Sequence, residues 1–113
     1  MIKQDTSENR VKLTYLGIGS NLGNRKINLN IAKFMLSNCN IKILESSGFY
    51  ESLSWPDPNK PKFLNIVLKI KTDLTPLKLL HKCKEIERIL GRKKTKKNAP
   101  RVCDIDILDY GKI

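Results

Sequence analysis

Arg101-Val102-Cys103-Asp104-Ile105-Asp106-Ile107-Leu108, near the end of the chain, places an Asp-x-Asp pair inside an apolar, β-branched run. A run of this composition predicts a β-strand. Because successive side chains of a strand point to opposite faces, Asp104 and Asp106 share one face. The neighbours predicted to face a core on the other side are Cys103, Ile105 and Ile107.

The two carboxylates predict a magnesium site. Parallel carboxylates on one face repel each other unless a cation lies between them. Mg²⁺ suits this position because it usually takes one or two carboxylates together with the phosphates of a substrate. A solvated strand face is the alternative interpretation of Asp104 and Asp106.

The segment that leads into this strand is strongly basic. Six of the ten residues from 92 to 101 are Lys or Arg, and none is acidic. Gly91 and Pro100 bracket a stretch without apolar periodicity, which predicts a loop. Cations beside a carboxylate pair suit a polyphosphate, whose remaining charge they would neutralise. A solvated loop or a general polyanion-binding patch stays open as an alternative.

Composition limits the classes of protein. A length of 113 residues with 40% hydrophobic residues predicts one globular domain, and a net charge of +11 predicts anionic partners. Three dispersed cysteines and a single histidine disfavour a zinc site and predict reduced thiols in a cytoplasmic protein. The sequence contains no apolar run long enough to predict a membrane-spanning segment, so no membrane partner is expected. We expect residues 1–10 to form a flexible N-terminal segment and residues 11–113 to form the domain.

Apolar periodicity predicts an α+β fold. The predicted elements are a strand at 13–18, a helix at 25–37 capped by Asn24, strands at 41–52 and 63–72, a helix from Thr75-Pro76 to Gly91, and the Asp-x-Asp strand. The apolar positions that indicate the first helix are Ile27, Leu29, Ile31, Ala32, Phe34 and Met35. The order β-α-β-β-α-β is that of a ferredoxin-like unit, a four-stranded antiparallel sheet with two helices on one face.

Four motifs, in this order, carry a family resemblance. They are Gly19-Ser20-Asn21-Leu22-Gly23-Asn24, Phe49-Tyr50-Glu51-Ser52 with Trp55, Phe63-Leu64-Asn65, and Arg101-x-x-Asp104-x-Asp106-Ile107-Leu108; Glu87 and Gly91-Arg92 lie between the last two. Their order and spacing resemble the 6-hydroxymethyl-7,8-dihydropterin pyrophosphokinases of folate biosynthesis. The resemblance extends over residues 13–112.

The resemblance implies transfer of pyrophosphate from ATP to the hydroxymethyl oxygen of the pterin, with release of AMP. It implies that Asp104 and Asp106 bind two Mg²⁺ ions, and that Arg92 and Arg101 are catalytic with them. The residues it implies at ATP are Glu87, Arg92, Lys94 and Arg101. The residues it implies at the pterin are Ser52, Trp55, Phe63 and Asn65.

Within the pterin site, the resemblance implies that Phe63 stacks on the ring, that Asn65 hydrogen-bonds its edge, and that backbone groups from Ser52 to Trp55 contact the remaining edge. Simpler interpretations exist for each residue. Phe63 and Trp55 could be core aromatics. Asn65 could cap its own strand, and Glu87 could be an exposed acid on a helix.

Members of the family continue well beyond the position of Ile113, and that continuation carries a further arginine and a second aromatic. We therefore expect either a C-terminally incomplete fragment or degraded copy with reduced activity, or another chain that supplies the missing segment. One alternative is a remnant that only binds ligand. Another is a nucleic-acid-binding module, which is disfavoured because Tyr15 is the only aromatic of the first predicted strand and the last has none.

Overall fold

The computed structural model describes residues 11–91 and 99–111. The predicted flexible segment 1–10 and most of the predicted basic loop, residues 92–98, lie outside these ranges. The elements are β1 (Lys12–Ser20), α1 (Arg25–Ser37), β2 (Ile41–Ser46), β3 (Tyr50–Ser52), β4 (Phe63–Thr72), α2 (Pro76–Ile89) and β5 (Asp104–Tyr110). The α+β class is confirmed.

The described sheet has five strands where four were predicted, because the single strand expected at 41–52 is broken. Ser47 lies at the break: its backbone N–H donates to the carbonyl of Val67 (2.8 Å), and its Oγ accepts from the N–H of Val67 (2.8 Å). The hydroxyl of Ser47 thus accepts the hydrogen bond from β4 that a backbone carbonyl of a regular partner strand would have accepted. Pairing resumes at Tyr50, which lies opposite Asn65.

The antiparallel sheet has the order β2-β4-β1-β5, and β3 pairs with the beginning of β4. Gly19 of β1 lies opposite both Asn65 and Asp104, so one row crosses the sheet through Tyr50, Asn65, Gly19 and Asp104. Directly paired residues on one face lie close enough for their side chains to touch. Side chains that are far apart in the sequence therefore meet at this row.

One hydrophobic core lies between the sheet and both helices. The sheet contributes Leu16, Ile18, Ile66, Leu68, Ile70 and Ile105; α1 contributes Leu29, Ala32 and Leu36; α2 contributes Leu79, Cys83 and Ile86. Because the buried strand residues are two apart, they occupy a single face of the sheet. The inward orientation predicted for Ile66, Leu68 and Ile70 is confirmed. The Asp-x-Asp pair lies on the opposite face of the sheet.

The predicted helix ends are confirmed. Asn24 Oδ1 accepts from the N–H of Ile27 (3.1 Å), and Thr75 Oγ1 accepts from the N–H of Lys78 (3.3 Å). Gly91 follows α2 with φ +106°, a conformation that favours glycine. Neither helix among the described residues has the length and apolarity required to cross a membrane.

Two details differ from the sequence-based expectation. Several apolar positions of α1 and α2 are exposed rather than buried: Ile27, Ile31, Phe34 and Leu80. Their spacing correctly predicted helices, but the buried stripes are narrower than the apolar pattern. The last strand extends to Tyr110, so the expectation that it carries no aromatic is wrong. The hydroxyl of Tyr110 donates to the carbonyl of Leu74 (2.6 Å), which ties β5 to the segment before α2.

The cysteines are free thiols, and Cys83 and Cys103 are fully buried in the core as predicted. Burial, with a smaller contribution from the nearby carboxylate of Glu87, raises the pKa of the Cys83 thiol from 9.0 to about 12. A buried thiol keeps its proton because the charged thiolate would lose its hydration.

This pKa predicts a measurable loss of stability in alkali. Above pH 9.0 the thiol ionises in the unfolded chain but stays protonated in the folded chain, so its contribution to the free energy of unfolding falls until the pH reaches about 12. Replacing Cys83 by Ala removes this contribution. In urea unfolding above about pH 9, we expect the free energy of unfolding to fall more steeply with pH in the wild type than in Cys83→Ala, by up to about 1.4 kcal/mol per pH unit. Equal slopes of the free energy of unfolding against pH in the two proteins would contradict the raised pKa of the Cys83 thiol.

Candidate functional site

A cleft of about 220 Å³ lies on the sheet face opposite the helices. It is lined by residues of four strands, β1, β3, β4 and β5. Five of the predicted site residues meet there: Ser52, Phe63, Asn65, Asp104 and Asp106. The row through Gly19 brings them together, because β4 and β5 flank β1 on its two sides.

A second cleft of about 240 Å³ adjoins the first and shares Phe63 and Asp104 with it. It adds Trp55 and Arg101 to the predicted residues at the site, and Asn21 also lines it. Trp55 is 81% exposed, so its interpretation as a core aromatic is wrong. An exposed tryptophan beside a cleft offers a large apolar surface to a ligand.

Glycines form the floor of the first cleft. A Cβ on Gly19 would lie 2.8 Å from Asn65 Oδ1 and 3.1 Å from Phe63 Cδ1. A Cβ on Gly17 would lie 3.3 Å from the side chain of Leu108. The lack of a side chain at Gly19 therefore lets the ring of Phe63 and the amide of Asn65 lie over the central strand, and the lack of one at Gly17 leaves room for Leu108.

The amide of Asn65 has a defined orientation. Its Nδ2 donates to the hydroxyl of Ser52 (2.9 Å) and to the carbonyl of Tyr50 (3.2 Å). Both partners belong to β3, so this short strand fixes the amide. The Oδ1 lies over Gly19 in the cleft, where it can accept a hydrogen bond from a ligand. The interpretation of Asn65 as a cap of its own strand is not supported by these contacts.

The Asp-x-Asp pair has the predicted orientation. Asp104 and Asp106 line the cleft, whereas the alternating residues Cys103 and Ile105 are buried on the helix side. A guanidinium nitrogen of Arg101 lies 3.6 Å from a carboxylate oxygen of Asp104, so one cation is already beside the pair. Two carboxylates open to a cleft fit Mg²⁺, which completes its octahedral shell with phosphate oxygens and water. The residues that the structure describes contain no cluster of three or more candidate metal ligands.

Glu87 lies on the other side of β5 and lines neither cleft. Its side chain is 1% exposed, so its interpretation as an exposed helix acid is wrong. Its Oε2 accepts from the backbone N–H of Ile105 (2.6 Å), and its Oε1 lies 3.6 Å from the ammonium of Lys84. Ile105 lies between Asp104 and Asp106, so this buried carboxylate fixes the backbone between them. The role of Glu87 at ATP stays a prediction.

Arg92 and Lys94 lie outside the described residues, and their predicted contacts stay predictions. Several residues that form the site were not predicted from the sequence: Gly17, Gly19, Asn21, Tyr50 and Ser54. Gly19, Asn21 and Tyr50 belong to motifs that carry the family resemblance, but no role in the site was predicted for them. A larger open depression, about 800 Å³ and lined by residues of 37–43 and 71–73, contains none of the predicted site residues.

The contact between Glu87 and Ile105 predicts a specific loss of stability. Glu87→Ala leaves the backbone N–H of Ile105 without its acceptor, which should reduce the free energy of unfolding by about 1–3 kcal/mol. Glu85 is a matched control. It also lies on α2, but it is exposed, and its carboxylate lies 3.8 Å from the ammonium of Lys82. Glu85→Ala should change stability by less than about 0.5 kcal/mol in the same urea titration. Equal losses would contradict this role of Glu87.

Comparison with known proteins gives a consistent result. Residues 15–113 match the family described as 7,8-dihydro-6-hydroxymethylpterin-pyrophosphokinase. The 2-amino-4-hydroxy-6-hydroxymethyldihydropteridine pyrophosphokinase of Aquifex aeolicus is 46% identical over 96 residues, 85% of this chain and 59% of that protein. The protein of the same name from Haemophilus influenzae is 37% identical over 98 residues, 86% of this chain and 61% of that protein.

A longer relative is also similar. The folic acid synthesis protein fol1 of Schizosaccharomyces pombe is 38% identical over 109 residues, 96% of this chain and 15% of that protein. The aligned part of the chain thus spans about three fifths of the two bacterial relatives. The match from residue 15 onward includes residues of every strand and helix of the described fold and both clefts. The chain therefore belongs to the 7,8-dihydro-6-hydroxymethylpterin-pyrophosphokinase family.

Proposed function

We propose that this chain contributes to the transfer of pyrophosphate from ATP to the hydroxymethyl group of 6-hydroxymethyl-7,8-dihydropterin, with release of AMP, in folate biosynthesis. The observation that carries the proposal is the cleft in which Asp104 and Asp106 lie beside Phe63 and Asn65. A carboxylate pair suited to Mg²⁺ and an aromatic–amide pair suited to a pterin then share one cavity. Family membership supports this assignment over the nucleic-acid-binding alternative.

At the nucleotide side, Asp104 and Asp106 would hold two Mg²⁺ ions through their carboxylates. The ions supply neutralisation of the phosphate charge when bound. Arg101 would contact a phosphate oxygen; the position of its guanidinium beside Asp104 and the place of Arg101 in the lining of the second cleft support this role. Arg92, Lys94 and Glu87 are proposed at ATP from the family resemblance. Lys94 would act as a point charge without the forked geometry of an arginine.

At the pterin side, the ring would lie against Phe63, and the Oδ1 of Asn65 would accept from a ring N–H or amino group. The contacts of Asn65 with Ser52 and Tyr50 support this polarity, because they already use its donor atom. Ser52 would also act through the backbone that leads to Trp55. An orientation fixed before binding reduces the entropy lost on binding.

Two further proposals concern the topology of the domain and its location in the cell. Residues 11–113 would form one pterin pyrophosphokinase-like domain of ferredoxin-like topology, in which β2 and β3 together represent the second strand. The free thiols fit a cytoplasmic location. A further chain that supplies C-terminal elements stays a prediction.

The carboxylate pair can be tested without turnover. We expect Mg²⁺ and a non-hydrolysable ATP analogue to raise the Tm of the chain, because a ligand that binds only the folded state stabilises it by mass action. Asp106→Asn should abolish the shift, since it removes one of the two metal carboxylates. Asp73→Asn is a charge-matched control, since Asp73 is exposed and lines neither cleft. A full shift in Asp106→Asn would exclude Asp106 from the site, and AMP formation from ATP and the pterin tests the reaction itself.

The glycine floor gives a second test. Gly19→Ala places a Cβ within 2.8 Å of Asn65 Oδ1, so the amide must move. Pterin affinity should fall by at least about fivefold, the effect of one lost hydrogen bond to a buried partner. Gly48→Ala is the matched control, because a Cβ on Gly48 would meet no heavy atom of the described residues within 4 Å. Equal pterin affinities of the two variants in titration calorimetry would show that Asn65 does not contact the ring.

A further inference from the structure

Asn21, directly after β1, is a buried amide that contacts two separate segments of the chain. Its side chain is 5% exposed. Its Nδ2 donates to the hydroxyl of Ser54 (3.2 Å) and to the carbonyl of Pro61 (3.1 Å). Its Oδ1 accepts from the backbone N–H of Arg101 (2.7 Å), and its own N–H donates to the carbonyl of Arg101 (3.0 Å).

These partners belong to two chain segments, and residues of both segments line the second cleft. Ser54 and Pro61 belong to the pterin-side lip, defined as residues 53–61, which also carries Trp55. Arg101 belongs to the phosphate-side lip, defined as residues 99–104, which leads into the Asp-x-Asp pair. Leu53, Trp55, Ala99 and Asp104 line this cleft together with Asn21 itself. The amide therefore joins the two lips at the base of the cleft.

An asparagine suits this position chemically. Its amide offers donors and an acceptor on one planar group, so it can bind a carbonyl and a hydroxyl on one side and a backbone N–H on the other. Aspartate would keep the acceptor and lose the donors, and alanine would lose both. Because the group is buried, each lost partner leaves a polar atom without compensation from water.

We propose that Asn21 is a positioning residue that fixes the pterin-side lip relative to the phosphate-side lip. The proposal rests on the proposed function for the identity of the two ligands. Asn21 acts through Ser54 and Arg101 and touches no reacting atom. Without it, Trp55 and Arg101 would no longer be held at a fixed separation across the cleft, so the affinities for both ligands would fall together.

Three variants of the full chain separate this role from simple stabilisation. Asn21→Ala removes the bonds to both lips. Ser54→Ala removes the bond from Asn21 to the Ser54 hydroxyl and the bond from that hydroxyl to the carbonyl of Pro61, and it leaves the bonds of Asn21 with Pro61 and Arg101. Asn28→Ala is the matched control, because the Asn28 amide bonds to the hydroxyl of Ser20 (3.1 Å) and the carbonyl of Leu22 (2.8 Å), which belong to neither lip. It should lower the Tm without affecting either lip.

Amide hydrogen exchange tests the geometry without any ligand. In Asn21→Ala, the N–H of Arg101 and the amides of residues 53–61 should exchange at least about fivefold faster than in Asn28→Ala. In Ser54→Ala, faster exchange should be confined to the pterin-side lip. Similar exchange at Arg101 in Asn21→Ala and Asn28→Ala would overturn the proposal.

Titration calorimetry tests the consequence for binding, with Mg²⁺ plus a non-hydrolysable ATP analogue as one probe and 6-hydroxymethylpterin as the other. Asn21→Ala should weaken both affinities by at least about fivefold, and Ser54→Ala should weaken the pterin affinity only. Equal affinities in Asn21→Ala and Asn28→Ala would overturn the role in positioning. A wild-type chain that binds neither probe would refute the proposed function, while hydrogen exchange would still decide whether Asn21 fixes the two lips.

Discussion

The central strand β1 is the constraint on which the rest of the structure depends. It pairs with β4 on one side and with β5 on the other, so its alternation sets the orientation of three strands. Leu16 and Ile18 are buried against the helices, while Gly17 and Gly19, which alternate with them, face the cleft. Apolar burial therefore fixes one face of the sheet, and the lack of side chains opens the other. A single strand provides both the anchor of the core and the floor of the site.

Two buried polar side chains complete this arrangement at the edges of the site. Glu87 binds the backbone of β5 between the two aspartates, and Asn21 joins two loops that line the second cleft. Hydrophobic contacts are not directional, whereas a buried hydrogen bond fixes both distance and angle. Both residues contact backbone groups, so they position segments of the chain. Neither role follows from residue type alone, since both side chains are usually exposed.

Charge and shape are separated within the site. The carboxylates and Arg101 lie at one end, where the proposed polyphosphate and Mg²⁺ would require strong local charges. Phe63 and Asn65 lie toward β3, where the proposed pterin ring would require an apolar surface and one fixed acceptor. The register of β1 with β4 and β5 sets the distance between these two ends. The proposed pyrophosphoryl transfer would depend mainly on such positioning, and paired strands hold the side chains of the site in a fixed geometry.

The sequence by itself determined the class of fold, both helices with their caps, the inward face of β4 and the outward pair Asp104 and Asp106. These features are local, because strand and helix periodicity decides which neighbouring side chains share a face. Only the tertiary structure decided the break at Ser47, the exposure of Trp55 and the burial of Glu87. It also decided that Asn21 contacts Ser54 and Arg101, which are distant in the sequence. These outcomes depend on strand register and on hydrogen bonds between remote segments, and no local periodicity encodes either of them.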